Sequence, residues 1–299
     1  FTNVQLVEAQ STPDGNFPTV ASPNPEESAA LAMAIAQAEA TNADLVIGCD
    51  PDTDRVGIAV NDGTGKMQLL NGNDTAALLV HYILDAYKTN GTLPANGFTA
   101  ATVVTTDLIA DISAAYGVPC YRCLTGFKWI ADIINNKPEE QFLVGGEESY
   151  GYLIGDDVRD KDAVASAVMI AEMAANAKAK GRTVLEQLEA IHREFGQYQE
   201  RLISITKKGR SGAQEIADMM TALRNNPPKT LAGSPVIIAI DHSNSTQTDL
   251  RTGATSSTEL PGSNVLQFIT EAGDKVSARP SGTEPKIKFY FSVRTTTGE

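Results

Sequence analysis

The chain has 299 residues, room for two or three compact domains, and its 37 acidic against 24 basic side chains leave a formal net charge of −13. That charge argues against nucleic acid or an anionic membrane as a partner, and no run approaches the ~18 apolar residues a spanning helix needs. Three cysteines are too few for a disulfide framework and suit a reducing cytoplasm.

Val4 to Glu8 has the pattern of a strand. With Phe1 at the start and no signal-peptide pattern, the expectation is a piece of a longer protein whose beginning is not included. Asn24-Pro25-Glu26-Glu27 predicts a helix start, with Asn as cap, Pro in the first turn and two acids on the positive end of the dipole. This Ala-rich helix runs to about Ala40. Leu45–Cys49 and Val56–Val60 read as buried strands on either side of an acidic loop. Asn73 is predicted to cap a helix from Asp74 to Lys88, and the turn-rich stretch from Thr89 to Gly97 marks a boundary.

Beyond it, strands at Thr99–Val104, Cys120–Cys123 and Gln141–Val144 alternate with helices at Asp107–Tyr116 and from about Lys128 to Asn135. Helices at Asp160–Lys180 and Val184–Glu194 follow, and the alternation predicts a mainly parallel sheet. Past Gln197 the texture changes. Strands near 198–206, 234–240, 264–269, 275–279 and 286–293 surround one helix near 212–224, and Ser243–Pro261 reads as a loop or edge hairpin. Three units are expected: 1–96, 97–196 and 197–299.

Asp50-Pro51-Asp52-Thr53-Asp54-Arg55 sets three carboxylates at alternate positions. On a strand they would crowd one face with like charge; on a loop they can fold around a hard cation, and oxygen ligands suit Mg²⁺. An EF-hand would need Gly and Glu where Arg55 and Asn61 stand. A phosphatase with an aspartyl nucleophile also follows an apolar strand with Asp-x-Asp, but the third carboxylate, Asp54, favours a metal cradle. Cys120-Tyr121-Arg122-Cys123 has no second pair to complete a zinc site, and residues three apart on a strand face opposite ways.

Gly145-Gly146-Glu147-Glu148-Ser149-Tyr150-Gly151 offers carboxylates and a hydroxyl on a flexible turn, suited to vicinal sugar hydroxyls. Thr125-Gly126-Phe127-Lys128 puts a lysine beside the only Trp; apolar neighbours can make a lysine an acid or base, while by itself the pattern favours a surface lysine in the first turn of a helix. Arg279-Pro280-Ser281-Gly282-Thr283-Glu284-Pro285-Lys286 combines a guanidinium fork, hydroxyls and exposed N–H groups into an anion cradle that fits a phosphate.

These motifs, in this order, with Arg159-Asp160-Lys161-Asp162-Ala163 and Pro23-Asn24-Pro25-Glu26, resemble the α-D-phosphohexomutase superfamily along the whole chain, most of all its bacterial phosphoglucomutase branch. The resemblance implies α/β, mixed-sheet domains followed by a smaller α+β C-terminal domain. It implies Asp50, Asp52 and Asp54 as Mg²⁺ ligands, Arg55 as the basic residue beside them, and Lys128 as general acid/base. Thr125, Gly126, Glu147 and Ser149 would meet the sugar, and Arg279, Ser281, Gly282 and Thr283 its non-reacting phosphate.

The reaction implied interconverts glucose 1-phosphate and glucose 6-phosphate through a phosphoserine, with glucose 1,6-bisphosphate as activator and intermediate. Mannose, pentose or glucosamine phosphates are alternative substrates, and a Mg²⁺-dependent sugar phosphatase is the alternative of another class. The family's Thr-x-Ser-His-Asn-Pro stretch, which bears the phosphoserine, does not occur in these residues. The expectation is therefore a C-terminal portion without its N-terminal domain, inactive by itself, with an exposed sheet edge in an incomplete first unit.

Overall fold

The computed structural model describes residues 1–207, 209, 211–282 and 284–295, and the chain divides into two compact units, Phe1–Phe195 and Gly196–Glu299. In the first unit the predicted strand at Val4–Glu8 is absent. Residues 1–7 are irregular and α1 (Glu8–Ser11) is a single turn. A strand persists only with a partner ladder; here the Leu6 carbonyl accepts a side-chain bond from Gln37 Nε2 (3.1 Å) instead.

Helix α2 (Ser28–Thr41) starts later than predicted. Asn24 accepts from the Glu26 N–H (3.0 Å) and staples a preceding turn, so it does not cap the helix. Strands β1 (Leu45–Cys49), β2 (Val56–Asn61) and β3 (Met67–Leu70) form an antiparallel sheet in sequence order. Cys49 pairs with Val56, so the acidic loop is the connection of a hairpin. Leu31 and Ala38 of α2 pack on Val46 and Ala59.

Helix α3 (Gly72–Thr89) is capped by Asn71 rather than Asn73: the Asn71 side chain accepts from the Asp74 N–H (2.9 Å), while Asn73 is turned to the Thr106 N–H (3.0 Å). There follow β4 (Gly97–Thr102), α4 (Leu108–Ala115), β5 (Cys120–Cys123), α5 (Phe127–Asn136), β6 (Gln141–Gly146), β7 (Tyr152–Ile154), α6 (Ala163–Ala179) and α7 (Val184–Phe195). Their sheet has the order β5-β4-β6-β7, parallel except for β7. Phe127, Ile130 and Ile134 of α5 pack on Phe98, Ala100, Phe142 and Leu153. Helix α3 contacts β6 and α4, while α6 and α7 contact β1 and β2. Helices against sheets explain why β4 is buried at every position and reads as an unbroken low-polarity run.

The second unit holds β8 (Gln197–Thr206), α8 (Gly212–Asn225), β9 (Thr230–Leu231), β10 (Ser234–Asp241), β11 (Thr246–Asp249), β12 (Thr255–Ser257), β13 (Leu266–Thr270), β14 (Lys275–Pro280) and β15 (Lys286–Thr295). The path β12-β11-β10-β13-β14-β15-β8 is antiparallel throughout, with β9 beside β10. Ile216 and Met220 of α8 pack on Val236, Leu266, Phe268, Ala278 and Ile287. The Ser/Thr-rich run does contain an edge hairpin, β11–β12. Mixed α/β units followed by a smaller α+β unit is the architecture expected from the sequence. No helix among the described residues is long and apolar enough to cross a membrane.

Candidate functional site

The acidic hairpin loop is shaped by its first aspartate. Asp50 Oδ1 accepts from the N–H groups of Asp54 (3.0 Å) and Arg55 (2.9 Å), and Thr53 takes a left-handed conformation (φ 57°) to close the turn. This folding brings one ligand oxygen from each of Asp50, Asp52 and Asp54 within 4.8 Å of one another. The loop lines a cleft of about 330 Å³ with Pro23, Asn24 and Arg55.

Two cations hold the cluster. Arg55 lies 3.9 Å from Asp50 Oδ2 and 3.6 Å from Asp54 Oδ1, and is itself anchored by Glu26 (2.6 Å). Lys161 Nζ lies 2.8 Å from Asp54 Oδ2 and 3.3 Å from Asp160. Burial, followed by repulsion from Asp54 and Asp52, raises the Asp50 pKa against the opposing Arg55 N–H. Burial works against charge on Asp54 as well, but hydrogen bonds from Lys161 and Asp50 and the charges of Lys161 and Arg55 outweigh it and hold its pKa low. Asp54 Oδ1 is buried and has no hydrogen-bond donor. An orphaned oxygen on one of three clustered carboxylates fits the donor set a hard divalent cation needs.

The glycine-flanked loop lies next to this cradle. The Tyr150 carbonyl, in a residue of φ 69°, accepts from the Val56 N–H (3.0 Å), and the Thr53 carbonyl accepts from Ala163 N–H (3.1 Å) at the start of α6. Its two acids point to different anchors. Glu147, buried, accepts from the Gly126 N–H (2.7 Å), whereas Glu148 Oε2 accepts from the Thr105 (3.2 Å) and Thr102 (3.4 Å) hydroxyls. Burial, aided by Glu26 and Asp74, pushes the Tyr150 hydroxyl up to about 12, so it stays protonated.

Gly126 sits at φ 118°, which a side chain would strain, and the neighbouring Thr125 hydroxyl is buried without a hydrogen-bond partner. Lys128 is not enclosed by apolar neighbours; it takes the surface position in a first helical turn that the sequence favours. It is exposed in the first turn of α5, its ammonium 5.1 Å from the Trp129 ring centroid. Cys123 is buried, which pushes its thiol up to about 12 and leaves it inert.

The Arg279 motif belongs to the second unit and forms the β14–β15 hairpin. Ser281 N–H donates to the Lys286 carbonyl (2.7 Å), and Glu284 N–H to Ser281 Oγ (3.3 Å). Gly282 is exposed with open space where a side chain would stand, and Thr283 lies outside the described residues. The register sets Lys288 directly opposite Arg279. Like charges facing each other across a ladder repel unless an anion lies between them.

The structure thus brings Asp50, Asp52, Asp54, Arg55, Thr125, Gly126, Glu147 and Ser149 onto neighbouring strand-end loops of one unit. Sequence reasoning passed over Lys161 and Lys288. Lys161 was visible only as part of a motif, and Lys288 could have been found from the strict alternation of a hairpin.

Two family models match: "Phosphoglucomutase/phosphomannomutase, alpha/beta/alpha domain II" over residues 1–64 and "domain III" over 71–195. A phosphoglucomutase of Staphylococcus epidermidis is 39% identical over 294 residues, covering 98% of this chain and 53% of the relative. A probable phosphomannomutase of Haemophilus influenzae is 40% identical over 291 residues, covering 97% and 54%. The chain therefore spans about half the length of the curated relatives it matches. Among solved structures, the open form of the phosphoglucomutase pp63/parafusin from Paramecium superimposes with a TM-score of 0.63 at 17% identity, over 91% of this chain and 46% of that one. A phosphoglucomutase/phosphomannomutase family protein from Burkholderia thailandensis gives 0.61 at 16%, over 94% and 49%. By motif order, family models and fold together, the chain belongs to the phosphoglucomutase/phosphomannomutase family of the α-D-phosphohexomutase superfamily.

Proposed function

We propose that these residues carry the metal, sugar and distal-phosphate sites of a cytoplasmic enzyme that interconverts glucose 1-phosphate and glucose 6-phosphate. The observation that carries this reading is the convergence of three aspartate oxygens within 4.8 Å beside a glycine-rich loop bonded to the same hairpin. Asp50, Asp52 and Asp54 would hold Mg²⁺, and the chemistry it supplies there is neutralisation of charge on a phosphoryl group in transit.

Arg55 sits close enough to share that task by meeting phosphoryl oxygens through its fork of donors. Glu147 and Ser149 orient the sugar by its hydroxyls, with Glu147 held in place by the Gly126 N–H, and the neighbouring Thr125 adds a buried hydroxyl without a partner. Lys128, exposed in the first turn of α5, exchanges the proton of the reacting hydroxyl. Arg279, Ser281, Gly282 and Thr283, with Lys288 opposite Arg279, grip the phosphate that is not reacting. The donor is a phosphoserine outside these residues, glucose 1,6-bisphosphate is the intermediate, and the 299 residues alone do not turn over. The three units expected from the sequence would then map onto metal loop, sugar loop and phosphate hairpin.

A mannose substrate is favoured almost as well by similarity, since the Haemophilus phosphomannomutase is as close in sequence as the Staphylococcus phosphoglucomutase. The test is a coupled isomerisation assay on the full-length gene product with Mg²⁺, trace glucose 1,6-bisphosphate, and glucose and mannose 1-phosphates, with the 299-residue chain as control. Preference for glucose 1-phosphate with a silent control supports the reading. Release of inorganic phosphate without isomerisation, lost in Asp50→Asn, would replace it with a phosphatase.

A further inference from the structure

We propose that Lys161 is a built-in competitor for the metal cradle: its ammonium occupies Asp54 until a divalent cation displaces it, and this competition sets the metal affinity. The inference rests on reading Asp50, Asp52 and Asp54 as cation ligands.

Three observations carry it. Lys161 Nζ lies 2.8 Å from Asp54 Oδ2, the distance of a charge-assisted hydrogen bond, and the Lys161 side chain is only 17% exposed. A cation drawing on both Asp54 oxygens must therefore break a charge-assisted hydrogen bond that is partly shielded from water. Second, the ammonium has somewhere to go. Asp160 is 3.3 Å away and the face of Phe127 is 5.8 Å from Nζ, so leaving Asp54 does not strand a charge.

Third, the lysine is held in place by shape. A side-chain carbon at Gly151 would fall on Lys161 Cδ and lie 2.7 Å from its Cγ, so the stem lies flat across the Gly151 backbone of the sugar loop. The absence of a side chain at that glycine is what lets the ammonium reach Asp54. Arg55 differs in kind. It stands 3.6 Å or more from the aspartate oxygens, and its NH1 is committed to Glu26.

Competition and simple structural support predict opposite signs. If Lys161 only props the cradle, removing it weakens metal binding; if it competes, removing it tightens binding. The experiment is calorimetric titration of Mg²⁺, and of Mn²⁺ read by its electron paramagnetic resonance, into the 299-residue chain. Lys161→Met is expected to tighten the dissociation constant roughly three- to tenfold, the factor one partly screened charge pair supplies. Lys161→Arg, which restores a cation, stays near the parent value.

Gly151→Ala keeps every charge and pushes the stem off its track, so it shifts affinity in the same direction as Lys161→Met. Asp54→Asn abolishes the effect of both. Unchanged or weaker binding in Lys161→Met, with the parent chain binding metal, overturns the competition. No binding in the parent or in Lys161→Met removes the metal reading itself along with it. Binding that is measurable only in Lys161→Met is the strongest support.

Discussion

Gly72→Ala tests how closely the glycine-flanked loop rests on the helix beneath it. Gly72 opens α3, and a side-chain carbon there would land on the Glu148 carbonyl oxygen, 2.8 Å from its carbon and 3.1 Å from the Tyr150 nitrogen. Those atoms are backbone, and neither side yields easily. The loop is tied by Val56 N–H to the Tyr150 carbonyl and by Glu147 N–H to the Gly151 carbonyl (2.9 Å), while the helix start is fixed by its Asn71 cap.

Reaching ordinary non-bonded separation requires a displacement of roughly 1 Å or more. Overpacking of this kind costs about 1–3 kcal/mol. The buried Tyr152 hydroxyl donates to the Gly72 carbonyl (3.0 Å), and stretching that bond adds about 1 kcal/mol. Against these stands the helix preference of Ala over Gly, at most about 1 kcal/mol. The net is a loss of about 2 kcal/mol, a fall in Tm of roughly 4–8 °C for a unit of this size. Thermal unfolding followed by circular dichroism reads it, with Gly15→Ala, which meets nothing within 4 Å, as the neutral control. A Tm equal to or above that of the parent would refute the close approach, since helix propensity alone would then be acting.

Asp74 gives a pH prediction. Burial, against the Asn71 hydrogen bond, raises its pKa from 3.8 to about 6, and His192 Nε2 lies 3.9 Å away. The folded state thus binds the proton more tightly, so this contribution to stability is full below pH ~4 and lost as pH rises through ~6. The Tm of Asp74→Asn minus that of the parent should therefore grow from pH 4 to pH 7, and a flat difference counts against the burial argument. Ile130→Ala empties a fully buried position between Phe98 and Phe142, costing about 2–5 kcal/mol in urea unfolding; a loss below 1 kcal/mol would mean the α5 interface can collapse. Lys288→Met should raise Tm slightly in phosphate-free buffer by removing its repulsion with Arg279, yet cancel the stabilisation that added phosphate gives the parent. A phosphate effect that survives the change would take Lys288 out of the anion site.

The acidic loop, the glycine-rich loop and most of the longer helices and strands were legible because their determinants are local, whereas the short strands β3, β7 and β9 were not read. Alternating carboxylates cannot share a strand face, apolar runs bounded by turn residues become strands, and helices announce themselves by periodicity. What failed was also local but had competing solutions. Asn71 and Asn73 are equally good caps by type, and only the Thr106 N–H, more than thirty residues away, decides that Asn73 serves elsewhere. Val4–Glu8 has strand-forming residues and no ladder to join.

Partnership across the fold was beyond the sequence. That Glu147 bonds to Gly126 while its neighbour Glu148 bonds to two threonines depends on which loops adjoin in space, since successive side chains leave a turn in different directions. That Lys161 reaches Asp54 depends on a glycine ten residues earlier leaving its path open. The sequence by itself determined which residue types could hold a cation, a sugar and a phosphate, because chemistry belongs to side chains. Only the tertiary structure decided which of them meet, because distance belongs to packing.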